Sequence, residues 1–207
     1  AGKIVAEAMV QEQALSGGLY KDFAILYRTN AQSRAMEESL RKLNVPYKIY
    51  GGTSFYQRKE IKDLISYFRL TYNPNDEEAL KRVINYPRRG IGDTTLDRII
   101  VAADQHKYRL WDVVGNAQMF LDGRSATSVV NFATMIKSFQ AIGNSGNAFD
   151  TAMHIAQHSG ILKDLYEDKS VEGLARYENI QELLNGIKEF SEREDLEEKS
   201  LDIFLQD

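Results

Sequence analysis

The sequence predicts a mostly α-helical protein with a small α/β portion near its start. Apolar residues recur at intervals of three and four along most of the chain, which is the period of amphipathic helices. Two short apolar runs, at residues 23–27 and 47–50, interrupt this pattern and alternate with helical segments. Such alternation is typical of an α/β layer, so we expect about two parallel strands there. After Gly52 only helical patterns follow.

The α/β portion begins with a predicted helix at residues 4–15. The run at residues 23–27, Phe-Ala-Ile-Leu-Tyr, is apolar throughout, as in a strand that is buried on both faces of a parallel sheet. A second helix is predicted over residues 31–43, and the second strand follows at residues 47–50. Because two strands do not make a stable doubly wound sheet, this portion is expected to be a fragment of a larger layer.

The remainder of the chain is expected to be helical from end to end. The apolar period predicts helices at residues 55–72, 76–86, 96–103 and beyond, 110–114, 127–142, 148–158, 161–166, 175–194 and 201–205. Asparagine, glycine and proline between these segments supply the caps and the stops, as at Pro74 and Pro87.

The most distinctive stretch is residues 86–96, Tyr-Pro-Arg-Arg-Gly-Ile-Gly-Asp-Thr-Thr-Leu. Its two glycines let the backbone approach another molecule closely. A helix capped at Asp93 or Thr94 would direct unpaired N–H groups and a positive dipole end at the same place, and Arg88 and Arg89 add full charges. This arrangement suits an anion, above all a phosphate. An ordinary tight turn with a capped helix is the alternative interpretation, because short glycine motifs have many false positives.

Charge is distributed unevenly along a chain whose net charge is −4. Residues 81–109 contain seven bases and three acids, whereas residues 161–207 contain six bases and fourteen acids. A polyanionic partner would therefore meet the middle of the chain and avoid its end. The acidic end is most simply explained as solvated helix faces.

The composition excludes several classes of function. The chain has no cysteine, which rules out disulfides and cysteine-based zinc or nucleophile chemistry. It has no apolar run near the ~20 residues of a membrane span and no signal-peptide pattern, so we expect a cytoplasmic protein without membrane contact. It also lacks a Gly-x-x-x-x-Gly-Lys-Ser/Thr loop and an acid pair for magnesium, so we expect no catalytic residue and no metal site. His154 and His158 are spaced as i and i+4 but lack a third ligand.

A second candidate site is the polar segment at residues 28–34, Arg-Thr-Asn-Ala-Gln-Ser-Arg. It would lie at the carboxyl end of a parallel strand, where open α/β sheets bind ligands. Asn30 or Ser33 can cap the following helix, while Arg28 and Arg34 can hold phosphate. Surface polar residues around a cap are the alternative interpretation.

Residues 47–72 combine seven aromatic and five basic residues, a mixture that suits single-stranded nucleic acid. Most of these rings are nevertheless expected in the core. Phe55 and Tyr56, which follow the Gly51-Gly52 turn, are the better candidates for ligand contact.

Three motifs in order make the chain resemble the UvrD/PcrA/Rep group of superfamily 1 DNA helicases. They are Phe-Ala-Ile-Leu-Tyr-Arg-Thr-Asn-Ala-Gln-Ser-Arg at residues 23–34, Pro-Tyr-Lys-Ile-Tyr-Gly-Gly-Thr-Ser-Phe-Tyr-Gln-Arg-Lys-Glu-Ile-Lys-Asp at residues 46–63, and Pro-Arg-Arg-Gly-Ile-Gly-Asp-Thr-Thr-Leu at residues 87–96. Past about Trp111 the resemblance rests on helical pattern. It implies that residues 1–54 are a partial second RecA-like motor domain and that residues 55–207 are its inserted helical accessory domain, called 2B.

The resemblance also implies a function for the chain. It would be a DNA-binding accessory and regulatory segment of an ATP-dependent helicase that moves 3′ to 5′, with duplex and single-stranded DNA, the rest of the motor core and regulatory proteins as partners. ATP and Mg²⁺ would act in the longer protein, since this chain lacks the motifs for them and should be inactive alone. A protein-interaction or autoinhibitory helical module without intrinsic DNA binding is the alternative.

The DNA-contacting residues implied by the resemblance form three groups. Arg28, Asn30 and Arg34 would line the path of the single strand. Phe55 and Arg58 would lie near the junction of the motor and accessory domains. The turn would clamp duplex phosphates ahead of the fork through Arg88, Arg89, Gly90, Ile91, Gly92 and Thr94.

Overall fold

The computed structural model describes residues 2–143 and 146–206, and in this part of the chain the protein is built from helices. The α-helices are α1 (Gly2–Ser16), α2 (Ser33–Lys42), α3 (Lys59–Tyr72), α4 (Glu77–Val83), α5 (Asp93–His106), α6 (Leu110–Gly115), α7 (Gly123–Gly143), α8 (Ala148–His158), α9 (Ile161–Glu167), α10 (Val171–Ser191) and α11 (Leu201–Gln206). Single 3₁₀ turns occur at Tyr20–Asp22, Asn30–Gln32, Phe55–Gln57 and Ala117–Met119. The prediction of a mostly helical chain is therefore confirmed.

The two predicted parallel strands, at residues 23–27 and 47–50, are wrong. The backbone is extended at Phe23, with φ −100° and ψ 145°, but within residues 2–143 and 146–206 neither segment forms a strand. A strand requires a ladder of hydrogen bonds to a neighbour, and an apolar run predicts only the local conformation and not the partner. Leu26 and Tyr50 on these segments are consequently 95% and 81% exposed.

The predicted helices are present, but the first or last residue of several of them differs from the prediction. The predicted and observed bounds of α8 agree, whereas α7 begins four residues before the predicted start and α10 covers Val171–Ser191 in place of residues 175–194. Helix α4 ends at Val83, before the predicted end at residue 86, because the chain turns there toward the Gly-Ile-Gly segment. None of the helices in the described ranges is both long and apolar enough to cross a membrane.

The described residues form two groups of buried apolar side chains. The smaller group joins α1 to α2 through Ala6, Leu40 and Val45. These helices are so close that a Cβ atom at Gly2 would lie 2.2 Å from the carbonyl oxygen of Ala35. The larger group fills the space between α3 and the helices from α4 to α11.

Helix α3 lies at the centre of the larger core, with α4, α7, α8, α10 and α11 packed around it. Its side chains Ile61, Leu64 and Phe68 are fully buried. The Tyr67 ring is buried beside them, and its hydroxyl donates to the carbonyl oxygen of Val83 at 3.2 Å and to that of Tyr86. The chain that leads into residues 90–92 is thereby attached to the most buried helix of the protein.

Candidate nucleic-acid interface

Residues 90–92, here called the Gly-Ile-Gly turn, present their glycines to solvent immediately before α5. Gly90 has φ +75°, the left-handed conformation that favours glycine, and Gly92 occupies the N-cap position of α5 without a capping side chain. The predicted cap at Asp93 or Thr94 is therefore wrong, because both residues lie inside the first turn of α5. Thr94 in the first turn of α5 is also exposed. The N–H groups of Asp93 and Thr94 have no acceptor among the described residues, so they remain available to an anion.

The inner side of the turn is fixed to the protein by one side chain. Asn85 Oδ1 accepts hydrogen bonds from the N–H groups of Arg89, at 2.9 Å, and of Ile91, at 3.1 Å. The Ile91 side chain is 1% exposed and belongs to the larger core. Arg89 and Ile91 therefore attach the turn to the protein, while the glycines and the start of α5 face outward.

The two arginines of the turn lie in opposite environments. The Arg89 guanidinium points inward, where it donates to backbone carbonyls and lies above two aromatic rings. Arg88 is exposed, and its side chain has no polar partner in the part of the chain that the structure describes. The contacts of Arg89 are the carbonyl oxygens of Val83 at 3.3 Å, Pro87 at 2.8 Å and Ser159 at 2.5 Å, and the rings of Tyr67 at 5.6 Å and Phe132 at 5.8 Å.

Burial raises the pKa of Tyr67 well above its ordinary value, although the neighbouring Arg89 charge opposes the shift. Tyr67 therefore stays neutral and keeps its hydroxyl proton, which it donates beneath the turn. The ring face and the donated proton together hold Arg89 and the preceding chain in one arrangement.

Arg34, predicted to contact single-stranded DNA, is buried between α2 and α10. Its guanidinium pairs with Glu38 at 2.9 Å, Glu182 at 2.8 Å and Glu189 at 3.1 Å. Burial alone would lower the pKa of this guanidinium, but the charges of Glu38 and Glu182 and the hydrogen bonds raise it above the ordinary value. A Cβ atom at position 186 would lie 2.5 Å from Arg34 Nη1, so Gly186 provides the space for it.

Phe55 and Arg58 also lie where α2 contacts the larger core. The region formed by Arg34, Phe55 and Arg58 with their partners is here called the α2 junction. Phe55 is fully buried, and its N–H donates to Glu37 Oε1 at 2.9 Å. The Arg58 guanidinium donates to Asn179 Oδ1 and to Ser33 Oγ, both at 2.9 Å. Burial lowers the pKa of Arg58, an effect that Glu37 partly offsets.

The predicted site residues thus divide into two groups. Arg34, Phe55 and Arg58 meet at the α2 junction, where they link parts of the protein to each other. The other group is the turn with Arg88, Arg89 and Thr94. Arg28 is exposed, and its N–H donates to Gln32 Oε1 at 2.9 Å. The Asn30 side chain lies outside the part of the chain that the structure describes.

Several residues that build the site were missed from the sequence. Asn85 lies four residues before Arg89, and an asparagine in such a turn is a known local acceptor, so this signal was present. Ser159 and Tyr67 gave no local signal, since Ser159 is 70 residues from Arg89 along the chain. The same holds for Glu182 and Glu189, the distant partners of Arg34.

No cluster of potential metal ligands occurs within residues 2–143 and 146–206. The rings of His154 and His158 stack with centroids 3.8 Å apart, and His158 Nδ1 lies 2.9 Å from the carbonyl oxygen of His154. Burial, and then the proximity of His158, lowers the pKa of His154. The two rings therefore pack on each other.

Comparison with known proteins gives consistent results. The family model described as UvrD-like helicase C-terminal domain matches residues 3–207. The chain is 38% identical over 198 residues to "DNA helicase II" of Haemophilus influenzae, which covers 95% of this chain and 27% of the relative. It is 38% identical over 205 residues to "ATP-dependent DNA helicase PcrA" of Staphylococcus aureus, which covers 99% of this chain and 28% of the relative. The chain thus spans just over a quarter of the length of these relatives.

Proposed function

The chain belongs to the UvrD-like helicase C-terminal domain family, and on that premise we propose that it is a DNA-binding segment of a longer ATP-dependent DNA helicase. Residues 1–54 would be part of the second motor domain. Residues 55–207 would form the 2B accessory domain, which holds the backbone of duplex DNA at the Gly-Ile-Gly turn.

The observation that carries this proposal is the construction of the turn. Gly90, Gly92 and Thr94 are exposed, as is Arg88 two residues before Gly90, and among the described residues the Arg88 guanidinium and two N–H groups at the start of α5 have no partner. Arg89 and Ile91 would contribute by holding this surface in place from beneath. Backbone amides, hydroxyls and arginine are the groups that contact phosphates without reading sequence, as a translocating enzyme requires.

The segment at residues 28–34 would contact single-stranded DNA through Arg28 and Asn30. Arg28 is exposed, in keeping with such a contact. Arg34 would act differently from the other two, since its guanidinium is already surrounded by three carboxylates. Its proposed role, together with Phe55 and Arg58, is to fix the accessory domain against the motor domain.

A groove of about 660 Å³ supports the assignment of residues 1–54 to a larger motor domain. The two segments at residues 23–27 and 45–51 line it, together with side chains of α2. Leu26 and Tyr50 beside it are largely exposed. Exposed apolar surface of this kind marks an interaction site, and the remainder of the motor core is the partner we propose for it.

The helicase reaction would use ATP and Mg²⁺ held elsewhere in the longer protein. The residues present here do not fit these groups, because the sequence has no phosphate-binding loop and the described residues contain no cluster of carboxylates for a metal. The family resemblance implies movement from 3′ to 5′, and we propose this polarity, together with a cytoplasmic location, for the longer protein.

Replacement of Thr94 by glutamate tests the turn without disturbing the fold. An acid in the first turn of a helix is favourable for the helix, yet it would repel a phosphate at this position. We expect the affinity of the chain for a duplex with a single-stranded extension to fall at least tenfold at low salt, measured by fluorescence anisotropy. Gln105→Glu, which makes the same charge change at the other end of α5, is the control and should bind like the unchanged chain.

Equal affinities of the Thr94→Glu chain and the unchanged chain would contradict the proposed contact at the turn. The alternative function is a protein-interaction or autoinhibitory module, which the fourteen acids among residues 161–207 favour. That alternative expects no duplex binding by the unchanged chain even at low salt. Repeating the titration at a second salt concentration separates the two, because phosphate contacts weaken steeply as salt rises.

A further inference from the structure

Helix α7 lies in an unusually acid-free part of a chain that contains 30 acids. Residues 123–163 contain one acid, Asp150, together with the bases Arg124, Lys137 and Lys163. Helix α10 has the same length as α7, 21 residues, but contains four glutamates. The lack of acids is therefore a property of this region and not of long helices in this protein.

The solvent-facing side of α7 is mostly polar, and the hydroxyls of Thr127, Thr134 and Ser138 on it donate to carbonyl oxygens of the helix itself. The opposite side of α7 is buried in the core through Val129, Phe132, Ile136 and Phe139. The side chains of Arg124, Asn131 and Lys137 have no polar partner within the described ranges. The exposed residues of this side, here called the α7 face, are Arg124, Thr127, Asn131, Thr134, Lys137 and Ser138.

The α7 face is continuous with the Gly-Ile-Gly turn. A Cβ atom at Gly90 would have Ser128 Oγ as its neighbour at 3.7 Å, and the Arg89 guanidinium lies 5.8 Å from the centre of the Phe132 ring. The turn thus crosses α7 near residues 128–132. With a rise of 1.5 Å per residue, Arg124 and Lys137 are separated by about 20 Å along the helix axis, which is the rise of about six base pairs.

We propose that the α7 face continues the duplex contact that begins at the turn, with Arg124, Asn131 and Lys137 donating to phosphate oxygens. This inference rests on the proposed function, since it extends the same DNA-binding surface. Arginine, lysine, asparagine and hydroxyl side chains are the usual donors to phosphate and sugar. The single acid of the region, Asp150, is engaged at the start of α8, where its Oδ2 accepts from Asn147 Nδ2 at 2.6 Å.

A duplex fits the α7 face better than a protein partner does. Protein interfaces are centred on large apolar or aromatic anchors. The described part of α7 exposes none of the large hydrophobic side chains that are exposed elsewhere, such as Met119 and Val171. Small polar side chains with two positive charges and no acid suit a polyanion.

The test is the double substitution Arg124→Gln and Lys137→Gln, with duplex affinity measured across a range of salt concentrations. Each phosphate contact contributes close to one unit to the slope of log K against log salt, so we expect the slope to decrease by about two. The control is Lys163→Gln with Lys169→Gln, which removes the same charge from exposed positions outside the α7 face. Its slope should change by less than about half a unit.

A second variant separates charge from packing. Arg124→Lys with Lys137→Arg keeps both charges and should retain the slope of the unchanged chain. A slope that falls in this variant as much as in the glutamine variant would overturn the charge-based contact.

The outcomes also distinguish this inference from the function on which it rests. If Thr94→Glu weakens binding and the glutamine variant keeps the full slope, the α7 contact is overturned and the turn remains, which leaves the face to an acidic protein surface. If neither variant differs from the unchanged chain, or if the unchanged chain binds no duplex at low salt, both proposals are overturned. If the glutamine variant lowers the slope and Thr94→Glu has no effect, the duplex contact lies on α7, the contact at the turn is overturned, and so is the claim that the two form one surface.

Discussion

The Gly-Ile-Gly turn and the α2 junction both gather arginines, but they present them in different ways. At the junction Arg34 is surrounded by three carboxylates, and Arg58 donates to an amide and a hydroxyl. At the turn one arginine, Arg89, is used by backbone carbonyls, while its neighbour Arg88 is left in solvent. A guanidinium whose donors the protein already satisfies is not available to a phosphate. The number of arginines in a segment of sequence therefore does not tell how many of them can contact a phosphate at the surface.

The largest effect is expected at the junction. Arg34→Ala would leave Glu38, Glu182 and Glu189 close together without their shared cation, and breaking a buried ion pair from one side costs about 3 kcal/mol. We expect the free energy of unfolding, measured by urea denaturation, to fall by that amount.

Arg28→Ala is the matched control for the junction. Arg28 is exposed, and its side chain has no polar partner among the described residues, so its loss should change stability by less than about 0.5 kcal/mol. Similar losses for the two substitutions would show that the carboxylate cage does not stabilise the fold.

The second effect separates the two arginines of the turn. Arg89→Ala would leave backbone carbonyls without their charged donor and should lower the free energy of unfolding by about 2 kcal/mol. Arg88→Ala should leave stability unchanged but weaken duplex binding, with a decrease of about one in the salt slope. Thermal unfolding and DNA titration of both variants measure this. If Arg88→Ala were the more destabilising of the two, this would contradict the structural role of Arg89 and the DNA-binding role of Arg88.

The smallest effect compares the two glycines of the turn. Gly90 has φ +75°, where a side chain is strained, so Gly90→Ala should cost about 1 kcal/mol. Gly92 has φ −79°, and no atom of the described residues lies within 4 Å of an added Cβ, so Gly92→Ala causes no strain and should cost only about 0.5 kcal/mol, because alanine is a poorer N-cap than glycine. Urea denaturation of the two variants checks this difference, and equal costs would contradict it.

Local patterns were sufficient to predict the helices, because an amphipathic period and its caps lie within a few residues of each other. The bounds of α8 followed from residues 148–158 alone. The prediction of the strands was wrong for the opposite reason. Whether residues 23–27 pair in a sheet depends on a neighbouring strand, and the apolar run itself does not specify that neighbour. An extended segment without such a neighbour leaves Leu26 exposed.

The candidate site shows the same division between local and distant information. The motif predicted a helix behind the glycines, but it placed the cap at Asp93 or Thr94, whereas α5 already begins at Asp93 and Gly92 is its N-cap. The inward orientation of Arg89 did not, because Ser159 reaches it from 70 residues away. For Arg34 only Glu38 was close in sequence, while its partners on α10 are 148 and 155 residues distant. The absence of acids from α7 could have been noticed in the sequence, but its meaning depends on how α7 lies beside the turn.

The contact between Arg34 and Gly186 has a consequence for how this protein can diverge. The guanidinium occupies the space that a side chain at position 186 would need, because a Cβ atom there would lie only 2.5 Å from Nη1. The two positions are therefore free to vary only as a pair. Homologous chains with a larger residue opposite α2 should have a shorter residue in place of the arginine, and this exchange would appear as covariation across the family.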